Sequence, residues 1–372
     1  IAAKSRRWIR IQSPFRNNAK FIIESNREKV KDFLCFQQKT LRSSRKSRFM
    51  KELIIQRNDA GQRLDKFLTK ALPALPPSLL HKYIRLKRIK LDGRRAELNY
   101  RLQEGDTLQL YINDEFFEAP DPEEGWRRVT PRLDILYEDE HILLANKPVG
   151  LVVHEDESQT PNTLINQIKA YLYQSGQWDP AREQSFTPAL CNRIDRNTGG
   201  IVIAAKTAEA LRVLNEKIRD REIAKYYLCL VHGRLSPAAG TLKNYLRRDT
   251  DKKQVFVEKS RTKDSLTAML RYRTLETRGG LSLVECELLT GRTHQIRVQM
   301  AQAGHPLAGD TKYGQAKYNQ ELPFSHQALW SYRLRFAFST PAGALDYLRG
   351  REFQVREVPF LAWFQNLPEK RT

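Results

Sequence analysis

Between Gln62 and Ala71, the apolar residues Leu64, Phe67, Leu68 and Ala71 recur at i, i+3, i+4 and i+7, one face of a helix. Pro76 and Pro77 introduce a second short helix, with Ser78 as its expected cap, Leu80 and Ile84 inward, and Lys82 and Arg85 outward. The period then changes to two. "RIKLDGRRAEL" reads as a hairpin around Asp92-Gly93, and Leu108, Leu110 and Ile112 alternate as a half-buried strand. Residues 50–115 are therefore expected to form a small α/β domain. A Pro- and acid-rich stretch follows, taken as a linker over 116–128. From 129 to 366 strand-like runs dominate: "LDILYE", "HILLANK", "GIVIAAK", "KYYLCLVHG", "TAMLRYRTLE" and "LSLVECELL". Two helical stretches interrupt them, one from Thr207 (Leu211, Leu214, Ile218 apolar) and one near Thr293 (Ile296, Met300, Ala303 apolar). Many strands with few helices predict an α+β fold on a mixed, largely antiparallel sheet.

The first 49 residues have no such pattern. They hold 14 Lys/Arg against Glu24, Glu28 and Asp32, and Met50 is the first methionine. They are expected to be a disordered basic leader or a translation artefact, and their Arg/Ser-rich, acid-poor makeup also leaves a transit peptide open. The chain as a whole carries +21 over 372 residues, and it stays basic beyond the leader, which points to a polyanionic partner such as a phosphate backbone. Lys82, Arg85, Lys87, Arg88, Lys90, Arg94 and Arg95 concentrate that charge on the small domain. No apolar run approaches 18 residues, so no membrane span is expected. Four scattered cysteines without a Cys-x-x-Cys pair read as reduced thiols of a cytoplasmic protein. Seven histidines without ligand spacing predict no metal.

Three stretches could carry chemistry. "CNRIDRNTGG" (Cys191 to Gly200) places Asp195 between two arginines at the junction of two apolar runs. Asp, Asn197, Thr198 and the glycines are good turn formers, and on local grounds a turn is the plainer reading. A turn does not require Arg193 or Arg196. In "TGRTHQIRVQM", Arg292 stands by an expected helix start, suited to an anion, and Arg297 one turn in reads locally as a solvated arginine. Tyr227, within "KYYLCLVHG", reads locally as a core tyrosine.

Together these stretches resemble the RluA family of pseudouridine synthases over residues 130–365. That family's His-Arg-Leu-Asp-x-x-Thr-Ser-Gly is similar to Asn192–Gly200. Gly-Arg-x-His-Gln-Ile-Arg is intact at Gly291 to Arg297 and is followed by "GHPLAGDTKYG". "ILYEDEHILLANKPVGLVVH" looks like the family's opening strand pair. "GQRLDKFL", "KRIKLDG" and "LQEGDTLQL" similarly resemble the alpha-L (S4-type) RNA-binding domain. The sequence departs from the pattern at Asn192 (usually histidine), Gly199 (usually serine) and Trp330 (often histidine).

The resemblance implies isomerisation of uridine to pseudouridine in RNA, with no cofactor, by a monomer. It implies Asp195 as the catalytic carboxylate, Arg297 as its partner, and Tyr227 as a group that stacks on uracil and donates or accepts a proton. Arg193 would fill the space left by an extruded base, and Arg292, His294 and Gln295 would contact substrate. The attached RNA-binding module implies large-subunit ribosomal RNA as substrate, with tRNA the other candidate. A non-catalytic RNA-binding or ribosome-assembly protein of the same fold is the reading from another class.

Overall fold

The computed structural model describes residues 50–117, 125–155 and 160–369. The expected leader lies outside them. In chain order the small domain comprises β1 (Lys51–Ile54), α1 (Leu64–Ala71), α2 (Pro77–Arg85), β2 (Ile89–Leu91), β3 (Arg94–Arg95) and β4 (Thr107–Leu110). Its sheet runs β1-β4-β2-β3 and is antiparallel throughout. Leu64, Phe67 and Leu68 of α1 and Leu80 and Ile84 of α2 pack on Leu108, Leu110 and Ile112, as the periodicity predicts. Asp92 and Gly93 both take positive φ, 47° and 75°, the requirement of a tight type I′ hairpin. The cap of α2 differs from expectation. The helix opens at Pro77, with Pro76 in the cap position and no side-chain cap bond, so Ser78 lies inside the first turn. Proline needs no partner for its absent N–H and already has helical φ.

The larger domain comprises β5 (Ile135–Glu138), β6 (Ile142–Lys147), α3 (Leu164–Gln174), β7 (Ala189–Leu190), β8 (Gly199–Ala205), α4 (Ala208–Arg219), β9 (Ile223–His232), β10 (Ala239–Asp249), β11 (Gln254–Glu258), β12 (Ser265–Arg278), β13 (Leu281–Leu288), α5 (Gln295–Gln302), α6 (Ala316–Asn319), β14 (Leu329–Phe336), β15 (Glu352–Gln354) and α7 (Pro359–Gln365). Its 11-stranded sheet runs β11-β10-β12-β13-β9-β14-β8-β6-β5, with β15 beside β14 and β7 beside β8. All pairings are antiparallel except β14 with β8. The mixed, largely antiparallel α+β reading is correct. Alternate residues of the central β9 feed two cores: Leu228 and Leu230 pack with α4 and α7, while Tyr227, Cys229 and Val231 pack with α3 and α5.

Thr207 caps α4 through Ala210 N–H, in line with the sequence. The second expected helix begins later than Thr293, at Gln295, with His294 in left-handed conformation (φ 53°, ψ 22°) before it. The Gln295 side chain accepts Arg292 N–H and folds the preceding loop back on the helix. The expected linker is anchored at both ends. Phe116 and Phe117 pack against the small domain's core. Trp126 is buried in the large one, 5.3 Å from the Trp178 ring. Between the domains runs a polar seam: Asn58 donates to Glu183, Gln62 to Ser185, Ser185 to Asp59, Gln184 to the Ile54 carbonyl and Arg212 to the Ala60 carbonyl.

Two of the departures from the family pattern meet in space. β14 and β8 bring Trp330 into register with Gly199. A Cβ at Gly199 would lie 2.2 Å from the indole, so Trp330 occupies the room a serine would need. At Gly200, φ is +111° and a Cβ would lie 2.1 Å from the Ser331 carbonyl oxygen, so that glycine is required by both conformation and contact. Gly199→Ser alone should destabilise by about 1–3 kcal/mol through overpacking. Adding Trp330→His should make the double variant more stable than the summed single losses by at least ~1 kcal/mol in urea unfolding. Additive losses would show that the two positions are independent.

Candidate active site

Asp195 sits in the loop between β7 and β8. Its backbone carbonyl accepts Thr198 N–H at 3.0 Å, so the residue does form a turn. The carboxylate is used elsewhere. Oδ2 accepts Arg297 Nη1 at 3.0 Å and has His294 Nε2 at 3.9 Å. The side chain is about a quarter exposed, with its pairing already made. Asn192 steadies the loop from behind, its Oδ1 accepting Ile203 N–H at 2.8 Å.

Arg297 is buried, contrary to the local reading of a solvated arginine. Its Nε and Nη2 grip both oxygens of the fully buried Asp310, at 2.7 and 2.9 Å, which leaves Nη1 for Asp195. Burial alone would raise the Asp310 pKa. The Arg297 ion pair and the backbone N–H groups of Lys312 and Tyr313 outweigh it and hold the carboxyl below its ordinary range.

His294 is tuned by a neighbour the sequence did not single out. The Tyr313 hydroxyl accepts Val255 N–H at 2.9 Å, so its own proton is free for His294 Nδ1 at 2.8 Å. When the phenol donates that proton, Nδ1 accepts and Nε2 carries the hydrogen on the Asp195 side. Burial, with Arg297 and Lys312 nearby, lowers the His294 pKa and favours this neutral ring. Tyr227 reaches the same site from β9. Burial pushes its phenol up to about 12, a shift relieved by Ser331 and reinforced by the charge of Asp195. It is consequently a neutral phenol at neutral pH.

Lys147, also unmarked in the sequence, is fully buried at the end of β6. Its ammonium donates to the carbonyls of Pro148, Leu151 and Arg196 at 2.8, 2.7 and 2.9 Å. Burial lowers its pKa to about 7, against the pull of Asp195. The three bonds tie the strand end to the residue following Asp195.

The other expected contacts divide. Arg193 is exposed next to the turn. Arg292 is exposed but tethered, Nε donating to the Thr267 carbonyl at 3.1 Å. Gln295, expected to contact substrate, is buried and supports the loop: Oε1 accepts from Thr290 and Arg292, and Nε2 donates to the Met269 carbonyl. Its hydrogen-bonding groups are engaged within the protein. On the small domain Lys82, Arg85, Lys87, Arg88, Arg94 and Arg95 are exposed and Lys90 half-buried, along α2 and the β2–β3 hairpin.

Asp310→Asn should lower stability by about 3 kcal/mol, because it weakens a buried ion pair from one side. It should also reduce turnover at least tenfold as Arg297 loses its anchor. A carboxyl with a depressed folded pKa stabilises above its unfolded value and loses that contribution as pH falls through the folded one. The stability gap between wild type and variant should thus be flat near neutrality and shrink below the ordinary pKa of 3.8. Urea unfolding between pH 3 and 7 measures it.

Residues 141–302 match the family described as RNA pseudouridylate synthase, and residues 62–108 match the S4 domain. The chain is 31% identical over 300 residues to an uncharacterized RNA pseudouridine synthase of Bacillus subtilis (strain 168), covering 80% of this chain and 90% of that one. It is 33% identical over 282 residues to ribosomal large subunit pseudouridine synthase C of Escherichia coli (strain K12), covering 73% and 82%. With the family's Arg-x-His-Gln-Ile-Arg stretch folded against the Asp195 turn and an RNA-binding module ahead of it, this chain belongs to the RNA pseudouridine synthases, RluA-type enzymes with an S4 domain on the N-terminal side.

Proposed function

We propose that the enzyme converts specific uridines of large-subunit ribosomal RNA to pseudouridine, with Asp195 as its catalytic carboxylate. The observation that carries the role of Asp195 is the geometry of its side chain. A turn-forming aspartate spends its oxygens on nearby N–H groups; this one is held by Arg297, and among the described residues Oδ1 has no hydrogen-bond partner. The reaction detaches uracil from ribose and rejoins it through carbon 5, which needs an ionised group beside the sugar and no redox partner. Arg297 keeps the carboxylate charged and aimed. Tyr227, held as a neutral phenol, supplies an aromatic face and a proton. Arg193 takes the place of the extruded base, its flat guanidinium stacking where uracil had been. The basic face of the S4 domain supplies sequence-independent affinity for the phosphate backbone. Ribosomal RNA is favoured as substrate by the relatives named ribosomal large subunit pseudouridine synthase C.

Asp195→Asn keeps shape and turn while removing charge. Pseudouridine formation on large-subunit ribosomal RNA should vanish while RNA affinity stays within about twofold, since phosphate contacts dominate binding. Substantial product from this variant would sink the assignment. Replacing Lys82, Arg85 and Arg88 together with alanine should weaken binding and flatten its salt dependence by roughly 2–3 in logarithmic slope. Mapping pseudouridines in RNA from cells with and without the protein identifies the substrate; sites lost in tRNA alone would redirect it.

A further inference from the structure

We infer that the enzyme has a second subsite, for the phosphate and base of a nucleotide flanking the target uridine, in a groove beside the Asp195 turn. This reading rests on the chain being an RNA-modifying enzyme. A cavity of about 550 Å³ is lined by Arg196, Pro148, Leu151, Arg132, Asn162 and Gln167, among others. A second of about 400 Å³ shares Arg132, Asn162 and Gln167 and extends to Arg128. The two adjoin at these shared residues, and each has room for part of a nucleotide.

Among the described residues that line the groove, Arg128 and Arg132 supply positive charge and none is Asp or Glu. The amides are oriented by a chain of bonds that starts at the backbone: Arg132 N–H donates to Gln167 Oε1 at 3.0 Å, and Gln167 Nε2 donates to Asn162 Oδ1 at 2.9 Å. Reversing the Gln167 amide would set donor against donor, so the orientation is fixed by its first link. Asn162 is left with Nδ2, a pair of donors, to present. A wall of Pro148, Leu151 and Val152 adds an apolar surface. Donors with a flat apolar wall fit a ligand that is anionic, rich in acceptors and partly aromatic. A phosphodiester with its base has that character; a carboxylate metabolite lacks the aromatic part and a duplex lacks an exposed base face.

The groove is also in register with the site. Arg196 directly follows Asp195, and Lys147 Nζ bonds the carbonyls of Arg196, Pro148 and Leu151 together. One ammonium therefore ties the wall to the backbone that follows Asp195. A base held there constrains which uridine can reach Asp195, which makes the groove a source of sequence context.

The test uses the full-length protein and a fluorescein-labelled heptamer, three adenosines on each side of a single uridine, in which one phosphate at a time is replaced by a neutral methylphosphonate. Arg132→Ala, at an exposed position, and Asn162→Asp, which turns a donor into a carboxylate, are compared with wild type by anisotropy across salt concentrations. Arg132→Ala should weaken binding several-fold and lower the logarithmic salt slope by about one. Asn162→Asp should weaken it further. One linkage next to the uridine should, when neutral, cost wild type a similar factor and leave Arg132→Ala no further loss. Unchanged affinity and slope in Arg132→Ala would overturn the proposal. So would a loss that persists whichever linkage is neutral, because Arg132 would then act as diffuse charge. Pseudouridine formation by wild type on large-subunit ribosomal RNA is scored separately, so failure of the substrate reading shows there and failure of the groove shows in the heptamer.

Discussion

One guanidinium is shared between two carboxylates, and the site is built outward from it. Arg297 gives two of its nitrogens to Asp310 and one to Asp195. A buried arginine with a single partner would leave donors unsatisfied, and a buried carboxylate without a cation would protonate. The triad satisfies both needs and yet leaves one oxygen of Asp195 without a hydrogen-bond partner among the described residues. Asp310 is itself fixed by backbone N–H groups of the loop after α5. The Asp195 carboxylate is thus located by a loop more than a hundred residues away in sequence. Lys147 holds the same turn from the opposite end, through carbonyls rather than charges.

The sequence was most legible where burial is regular. Strands such as β6, β8 and β9 are apolar on both faces because each side of the sheet carries a core, and their runs stand out without a partner being known. The α3 helix does not stand out: Asn166 and Gln167 are buried in it next to Leu164, Ile165 and Ile168, so its polar positions do not trace an outer face. Those amides are satisfied by Glu155, Pro161, Asn162 and the chain at Arg132, the last of them too distant in sequence for a local window to contain.

The candidate site shows the same limit. Asp195, Arg297 and Tyr227 became visible only as a set of motifs, because each taken alone resembles something commoner. Asp310 and Tyr313 lay within a stretch already noticed, "GHPLAGDTKYG", but a charge in a loop has no periodicity to mark it as buried. Gln295 differs in another way: its motif suggests a ligand contact, while both ends of its amide bond the chain around the start of α5. Gly199 and Trp330 looked like unrelated oddities until the one parallel pairing in the sheet set them opposite each other.

The seam between the domains consists of hydrogen bonds, and the two apolar cores stay separate on either side of it. Hydrogen bonds of this kind exchange with water at little net cost, whereas a shared core would not. Among the described residues, folding cooperativity therefore has no apolar route across the boundary. Each domain can melt without dissolving the hydrophobic interior of the other.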